Sequence, residues 1–295
     1  MGDPIFVVGS QRSGTTLLRL MLNAHPNIAI PFESNFIVDT ARRIDEYGDL
    51  RDRKNLRRLL DDIAEDSFVA RGGLIVDKEK ILAFSPDTYP ELIRSIYTVY
   101  AASHGKTRWG DKDPAYVTDL DVIHELFPDC RIIHIVRDGR DVASSLMGLD
   151  WGSRNIPRLA RDWQWKVTLA HKMGAMIPDQ YLEVRYEDLV RSPQACLEEI
   201  CDFVGERYDD AMLRYHEEAS KSMPSDSLKY HASSISPPDP AKIQMWKSKM
   251  TPSDQMIYEQ IAGETLNDFG YEGIHGRVTL AAKIRHLQYT LFRRW

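Results

Sequence analysis

The stretch VVGSQRSGTT, residues 7–16, joins an apolar strand pattern to a helix pattern through a loop that contains glycine. Its two glycines are five positions apart, and Thr16 stands where a phosphate-binding loop has Ser or Thr. Such a loop has Lys directly after its second glycine, Gly14, but this position holds Thr15. The basic residue is instead Arg12, inside the loop. The stretch therefore predicts a phosphate-binding loop without the usual lysine.

The backbone of this loop explains why it would bind an anion. The N–H groups at a helix N-terminus point outward and lie at the positive end of the helix dipole, so they bind phosphate or sulfate readily. Gly14 lets the backbone come close, and the guanidinium of Arg12 suits bidentate contact with an oxyanion. An ordinary strand-to-helix turn is the alternative. The predicted anion-binding residues are Gln11, Arg12, Ser13, Gly14, Thr15 and Thr16.

Strand and helix patterns alternate along the chain. Strands separated by helices are typical of a parallel sheet with helices on both faces. We find no internal repeat and no linker, so we expect a single α/β domain over residues 1–295, with a P-loop-like nucleotide-binding fold. The predicted strands are PIFVVGS (4–10), NIAIP (27–31), RIIHIVRD (131–138) and YLEVRYEDLV (181–190). The predicted helices lie at about 15–26, 40–66, 141–147, 156–177, 192–205 and 251–270, and residues 220–240 form a loop.

Composition narrows the class of protein. The formal net charge of −6 over 295 residues argues against a nucleic-acid partner. The three cysteines are scattered and have neither zinc-ligand nor disulfide-framework spacing, which favours a reducing compartment. The nine histidines show no metal-ligand pattern, so we expect no metal. The first residues, MGDPIFVV, lack the pattern of a signal peptide, and we expect a cytoplasmic protein.

A second candidate anion site lies in the stretch RIIHIVRDGRDVASSL, residues 131–146. Arg137 ends a predicted strand, and Ser145 follows two helical turns later. Ligands of doubly wound sheets bind beyond the carboxyl ends of the strands, so Arg137 is placed to reach one. The alternative is a surface turn of solvated charges, which would have the same local sequence.

These two stretches, together with NIAIPFES at residues 27–34, resemble the sulfotransferases that use 3′-phosphoadenosine 5′-phosphosulfate (PAPS). The resemblance is to the branch with tyrosylprotein sulfotransferases and many bacterial small-molecule enzymes, and it spans roughly residues 4–272. It implies a single α/β domain, with the first motif on the 5′-phosphosulfate. It also implies that Arg137 and Ser145, which have the family spacing, hold the 3′-phosphate. PAPS has no γ-phosphate, so a loop without lysine or metal suffices.

The resemblance also implies catalytic residues. Glu33 matches the glutamate that takes the proton of the acceptor hydroxyl in the tyrosylprotein branch. Lys112, in the stretch KDP, matches a lysine that, with Arg12, stabilises charge on the leaving oxygen. Many family members use a histidine as the base, but no histidine here stands in an equivalent motif. The alternatives are a structural carboxylate at Glu33 and a salt-bridged surface lysine at Lys112.

Further residues are implied around the nucleotide. Tyr186, in VRYEDL, matches a tyrosine near the nucleotide. The stretch HASSISPPDPAKIQMW fits a loop that closes over the cofactor, with Ser233 and Ser234 as contacts and Trp246 as its marker. The family often has Lys or Arg directly before that tryptophan, where this chain has Met245.

The resemblance implies a sulfotransferase that forms PAP from PAPS, and we expect a hydroxyl of a small molecule or lipid as acceptor. Sulfation of a peptide tyrosine is one alternative. A P-loop kinase with an atypical loop and a non-catalytic nucleotide-binding protein are the others.

The C-terminal stretch GRVTLAAKIRHLQYTLFRRW predicts a basic amphipathic helix at about 277–295. No acidic residue follows Glu272. The apolar side chains on one stripe are Leu280, Ile284, Leu287, Leu291 and Trp295. This helix packs on its own domain or on a twin subunit, or it lies on an anionic membrane.

Overall fold

Five parallel strands form the centre of the computed structural model, which describes residues 2–274 and 279–291. Their order across the sheet is β2-β3-β1-β4-β5, so the first strand lies in the middle. The strands are β1 (Ile5–Val8), β2 (Ile28–Ala29), β3 (Arg108–Lys112), β4 (Arg131–Val136) and β5 (Tyr181–Arg185). This is the predicted α/β domain with a central parallel sheet.

Helices cover both faces of the sheet, as buried parallel strands require. Successive residues of a strand point to opposite faces, and β1 accordingly has Phe6 and Val8 in one apolar cluster and Ile5 and Val7 in another. The helices of the described residues are α1 (Thr15–Ala24), α2 (Phe36–Ala41), α3 (Arg53–Glu65), α4 (Ser67–Gly72), α5 (Lys78–Leu82), α6 (Tyr89–Ser103), α7 (Leu120–Leu126), α8 (Gly139–Met147), α9 (Ile156–Gly174), α10 (Tyr186–Arg191), α11 (Pro193–Val204), α12 (Trp246–Lys249), α13 (Pro252–Asp268) and α14 (Leu280–Leu291).

The pairing register of the strands places the predicted site segments at one edge of the sheet. Val7 of β1 pairs with Lys112 of β3 and with Ile133 of β4. Because all strands are parallel, the segments that follow them emerge at the same edge. The loop after β1, Asp113 after β3, and Arg137 after β4 therefore come together.

Three sequence predictions need correction. The predicted helix over 40–66 is interrupted, because α2 ends at Ala41 and α3 begins only at Arg53. The strand β3 was not predicted, because RWGDK is mostly polar, yet all five of its residues are buried. Its polar side chains find partners inside the protein: the carboxylate of Asp111 accepts hydrogen bonds from the Ser34 hydroxyl at 3.0 and 3.1 Å. The predicted strand over 181–190 is also too long. It ends at Arg185, and the helix α10 begins at the next residue.

Candidate active site

A cavity of about 440 Å³ opens at this edge of the sheet, above the start of α1. It brings together segments that are far apart in the sequence: the loop after β1, the residues after β3 and β4, the helix α8 and the loop at 224–245. Most of the predicted site residues line it, namely Gln11, Arg12, Gly14, Thr15, Thr16, Glu33, Arg137, Ser145, Tyr186, Ser233 and Ser234.

Two predicted site residues, Ser13 and Lys112, do not line the cavity. The amide of Ser13 donates to the carbonyl oxygen of Ser10 at 3.0 Å, and its hydroxyl is buried with no hydrogen-bond partner among the described residues. Lys112 is fully buried, which excludes the alternative that it is a salt-bridged lysine on the surface. Its ammonium donates to Oε1 of Glu33 at 2.6 Å and so acts on the cavity through that carboxylate.

The loop after β1 has the geometry of an anion cradle. No side chain caps α1, and its first turn contains no acidic residue, so the first amides keep their hydrogen-bonding capacity. Gly14 precedes the helix at φ 101°, in the left-handed region. A Cβ atom there would lie 2.4 Å from the Tyr186 ring, so the close approach of loop and ring also requires glycine.

Two guanidinium groups meet beside this cradle. Nε of Arg12 donates to the Ser145 hydroxyl at 3.1 Å, and Nη1 of Arg137 donates to the carbonyl oxygen of Arg12 at 3.2 Å. The Arg137 guanidinium also lies 4.4 Å from the centre of the Tyr186 ring. Burial and the charge of Arg137 lower the pKa of Arg12. The two predicted anion sites are thus one positively charged site, and a bound anion would relieve the repulsion between the two cations.

Asp141 organises this site, although sequence analysis gave it no role. Its buried carboxylate accepts hydrogen bonds from the amides of Gln244 at 2.8 Å and Trp246 at 2.9 Å, and it lies 3.7 Å from Nη2 of Arg137. The same guanidinium nitrogen donates to the carbonyl oxygen of Lys242 at 3.1 Å. Asp141 therefore ties the loop before Trp246 to Arg137. The spacing of four residues between Arg137 and Asp141 is the feature of the sequence that could have indicated their ion pair.

Glu33 and Lys112 form the second charged group of the cavity. Burial raises the pKa of Glu33, but the charge and hydrogen bond of Lys112 outweigh burial, so the net pKa lies below its ordinary value. The carboxylate is therefore ionised at neutral pH. It faces the cavity with a buried cation behind it, and it is able to accept a proton from a hydroxyl group.

His231 also lines the cavity, and sequence analysis missed it because the loop at 220–240 has no readable spacing. Its ring centre lies 5.8 Å from that of Phe32. Burial, followed by the charges of Lys112 and Arg12, lowers the pKa of His231 to about 4, so the imidazole is neutral at pH 7. Within residues 2–274 and 279–291, no three His, Cys, Asp or Glu side chains come together as they would around a metal ion.

Aromatic and charged side chains form the mouth of the cavity. Trp151 is 57% exposed and lies edge-on to Tyr230, with ring centres 6.4 Å apart. Arg71 of α4 donates to the Ser227 hydroxyl at 2.8 Å and forms a 3.2 Å ion pair with Asp226. These contacts join α4 to the loop over the cavity and leave an amphipathic entrance.

The model of the sulfotransferase family matches residues 4–210 of the chain. Because the match covers more than half of its 295 residues, the chain belongs to the sulfotransferase family. Protein-tyrosine sulfotransferase 1 of Danio rerio is 25% identical over 284 residues, which are 91% of this chain and 72% of that protein. The protein-tyrosine sulfotransferase of Drosophila melanogaster is 26% identical over 227 residues, which are 74% of this chain but only 41% of that protein.

One solved structure is similar to this chain over most of both chains. The sulfotransferase domain from the olefin synthase of Synechococcus PCC 7002 has a TM-score of 0.59 at 26% identity, over 90% of this chain and 96% of that chain. The family match and this likeness confirm the predicted fold and enzyme class. They favour the sulfotransferase over the kinase alternative.

The contacts of Asp141 lead to a first prediction. In Asp141→Asn one side-chain oxygen becomes an NH₂ group, which cannot accept from a backbone amide, and the countercharge of Arg137 is lost. We expect amide hydrogen exchange at Gln244 and Trp246 to become about tenfold faster, since one buried hydrogen bond to a charged group contributes about 1.5–3 kcal/mol. The matched control is Asp162→Asn, which removes a half-exposed ion pair with Lys166 on α9. Unchanged exchange in D141N would show that Asp141 does not hold the loop.

Proposed function

We propose that this sulfotransferase uses PAPS and transfers its sulfuryl group to a hydroxyl of a small-molecule or lipid acceptor by in-line displacement. The observation that carries the proposal is the joining of Arg12 and Arg137 beside the uncapped start of α1. These groups suit a nucleotide with anions on both its 5′ and 3′ sides, because each side meets a guanidinium and neutral donors. The cavity volume of about 440 Å³ lies in the range of small-molecule and cofactor sites.

The residues present fit this nucleotide at both ends. The amides at the start of α1, with Gln11, Arg12, Gly14, Thr15 and Thr16, would hold the 5′-phosphosulfate. Ser13 is not included, because its amide is already bonded to Ser10 and its side chain does not line the cavity. The residues for the 3′-phosphate and the nucleoside would be Arg137, Ser145, Tyr186, Ser233 and Ser234.

The ion pair of Glu33 and Lys112 supports the proposed catalytic roles of these two residues. PAPS supplies the sulfuryl group, which gains one S–O bond to the acceptor and loses the S–O bond to the 5′-phosphate. Glu33 takes the acceptor proton on a carboxylate oxygen. Lys112 does not line the cavity and acts through its hydrogen bond to Glu33, which it keeps ionised, while Arg12 provides positive charge on the leaving side. Arg12 follows β1, Glu33 follows β2 and Lys112 ends β3, so the parallel sheet holds the three groups at one edge.

The chemical class of the acceptor is the more specific part of the proposal. The exposed ring of Trp151, edge-on to Tyr230, suits a flat or apolar acceptor body, and the polar groups of Arg71 and Ser227 suit an amphipathic one. A peptide tyrosine is the second candidate, and the names of the Danio and Drosophila relatives favour it. Turnover of a panel of phenols and lipid alcohols, measured beside tyrosine peptides, separates the two candidates.

We also propose that the protein works in a reducing compartment such as the cytoplasm. The support is chemical: Cys130, Cys196 and Cys201 are free, buried thiols. Burial raises the pKa of Cys130 and Cys196 to about 12, so these thiols are unreactive as nucleophiles.

The role of Glu33 gives a second prediction. Glu33→Gln keeps the shape of the side chain but removes its basicity, so kcat should fall by about 10²–10⁴-fold, the usual contribution of a general base. The affinity for PAP, measured by calorimetry, should stay within about twofold, because Glu33 lies outside the nucleotide cradle. Glu79→Gln, at an exposed ion pair on α5, is the matched control. A near-normal kcat in E33Q together with a large loss in His231→Gln would reassign the base to His231.

The pH dependence gives a third prediction. Glu33 accepts a proton only when ionised, so activity is present above its pKa and is lost as the pH falls through that value. Because Lys112 holds the pKa below 4.5, we expect kcat/KM to lack an acid limb down to about pH 5.5. His231 would give the same profile, because its pKa is lowered to about 4, so the variants E33Q and H231Q separate these two bases. An acid limb near pH 6.5 in the measured profile would contradict a Glu33 base whose pKa is lowered.

A further inference from the structure

The C-terminal helix α14 docks on its own domain through one polar face. Ala282 is fully buried, and Nε and Nη2 of Arg285 donate to the Asp254 carboxylate at 2.5 and 2.9 Å. The Tyr289 hydroxyl donates to the same carboxylate at 3.0 Å. Asp254 lies in the first turn of α13. These contacts fix which way the helix faces.

The opposite face of α14 carries the apolar stripe that the sequence predicted. Leu280, Ile284 and Leu287 are 74%, 53% and 57% exposed. At about 100° of rotation per residue, their mean direction is roughly 170° from that of the docked face. The predicted stripe is therefore not what packs on the domain. The side chain of Leu291 and the whole of Trp295 lie outside the described residues.

Basic residues are frequent in the C-terminal stretch of the sequence. Residues 276–295 hold five basic residues and no acidic one, so the formal charge of −6 divides into +5 here and −11 in the rest of the chain. Lys283, beside the stripe, is exposed. Asn155 donates to the carbonyl oxygen of Tyr289 at 3.4 Å, and its neighbours Arg154 and Arg158 are exposed as well. None of these three basic side chains forms a salt bridge within the described part of the chain.

We propose that α14 binds the surface of an anionic lipid bilayer, lying along it with Leu280, Ile284 and Leu287 in the headgroup–acyl boundary. An exposed apolar stripe flanked by cations is the pattern of interfacial helices, where burial and charge attraction add. Such binding is peripheral: none of the helices in the described ranges is long and apolar enough to cross a membrane.

A second copy of the chain fits the stripe less well. Each copy would bring a C-terminal stretch that is basic in sequence and an exposed Lys283 to the pairing, which disfavours association. The exposed face of a 12-residue helix is also small beside the roughly 800 Å² per partner of a stable interface. An anionic surface instead complements the charge.

The test is co-sedimentation of the full-length protein with two kinds of vesicle. One kind contains equal amounts of phosphatidylglycerol and phosphatidylcholine, and the other contains phosphatidylcholine alone. We expect binding to the first kind and about tenfold weaker binding to the second, because the cations then lack a partner. The triple variant Leu280→Gln, Ile284→Gln, Leu287→Gln should lose about tenfold or more of the binding to anionic vesicles.

The matched control removes three exposed apolar side chains elsewhere, in the variant Ile75→Gln, Phe84→Gln, Met176→Gln. It should bind vesicles as the wild type does. Absence of binding to anionic vesicles, or equal losses in both triple variants, would overturn the proposal. The proposal would also be overturned if light scattering showed that the wild type is a dimer and that the α14 triple variant is a monomer. The apolar stripe would then be the contact with a second copy of the chain. Binding is measured without turnover, so its outcome does not depend on the proposed reaction.

Discussion

The parallel register of β1 between β3 and β4 is the constraint on which the active site depends. It sets Val7 level with Lys112 and Ile133, so three chain segments leave the sheet side by side. One of them forms the anion cradle, one provides Lys112 and one provides Arg137. A shift of one residue in either pairing would reverse the faces of that strand and separate these groups. The chemistry of the site is therefore a consequence of strand pairing.

Electrostatics explains how an acidic chain builds a site for anions. The whole protein has a net charge of −6, yet Arg12, Arg137 and Lys112 lie within one small region of the sheet edge. Each of the three is held by specific contacts, with Ser145, with Asp141 and with Glu33. Glu33 and Asp141 offset part of this charge, and each also orients a cation. The remaining positive potential would be available to the proposed nucleotide.

Much of this could be predicted from the sequence, and the part that could not has a physical reason. The loop at 9–16 and the strand before Arg137 have local signals, namely glycine spacing, apolar runs and helix starts, and the structure has this loop and this strand where they were predicted, while anion binding by the loop stays a prediction. The strand β3 was missed because its polar residues are satisfied by distant partners such as Ser34 and Glu33, which no local pattern shows.

The positions of Asp141, His231 and Ser13 illustrate the same limit. Asp141 and His231 matter because a long loop returns to the sheet edge, and the path of that loop is not encoded in residue spacing. Ser13 belongs to the predicted motif, but the turn directs its side chain inward. Sequence therefore identified the groups that follow a strand, while the groups contributed by long loops needed the structure.

The most direct test of the account is calorimetric titration of the protein with PAP and, separately, with ATP and Mg²⁺. We expect PAP to bind with a dissociation constant of about 1 μM or tighter, which corresponds to about −8 kcal/mol or stronger. We expect ATP with Mg²⁺ to bind far more weakly, because Thr15 stands where a kinase loop has lysine. Binding of ATP with Mg²⁺ but not of PAP would contradict the central claim that this cradle serves a 3′-phosphorylated nucleotide.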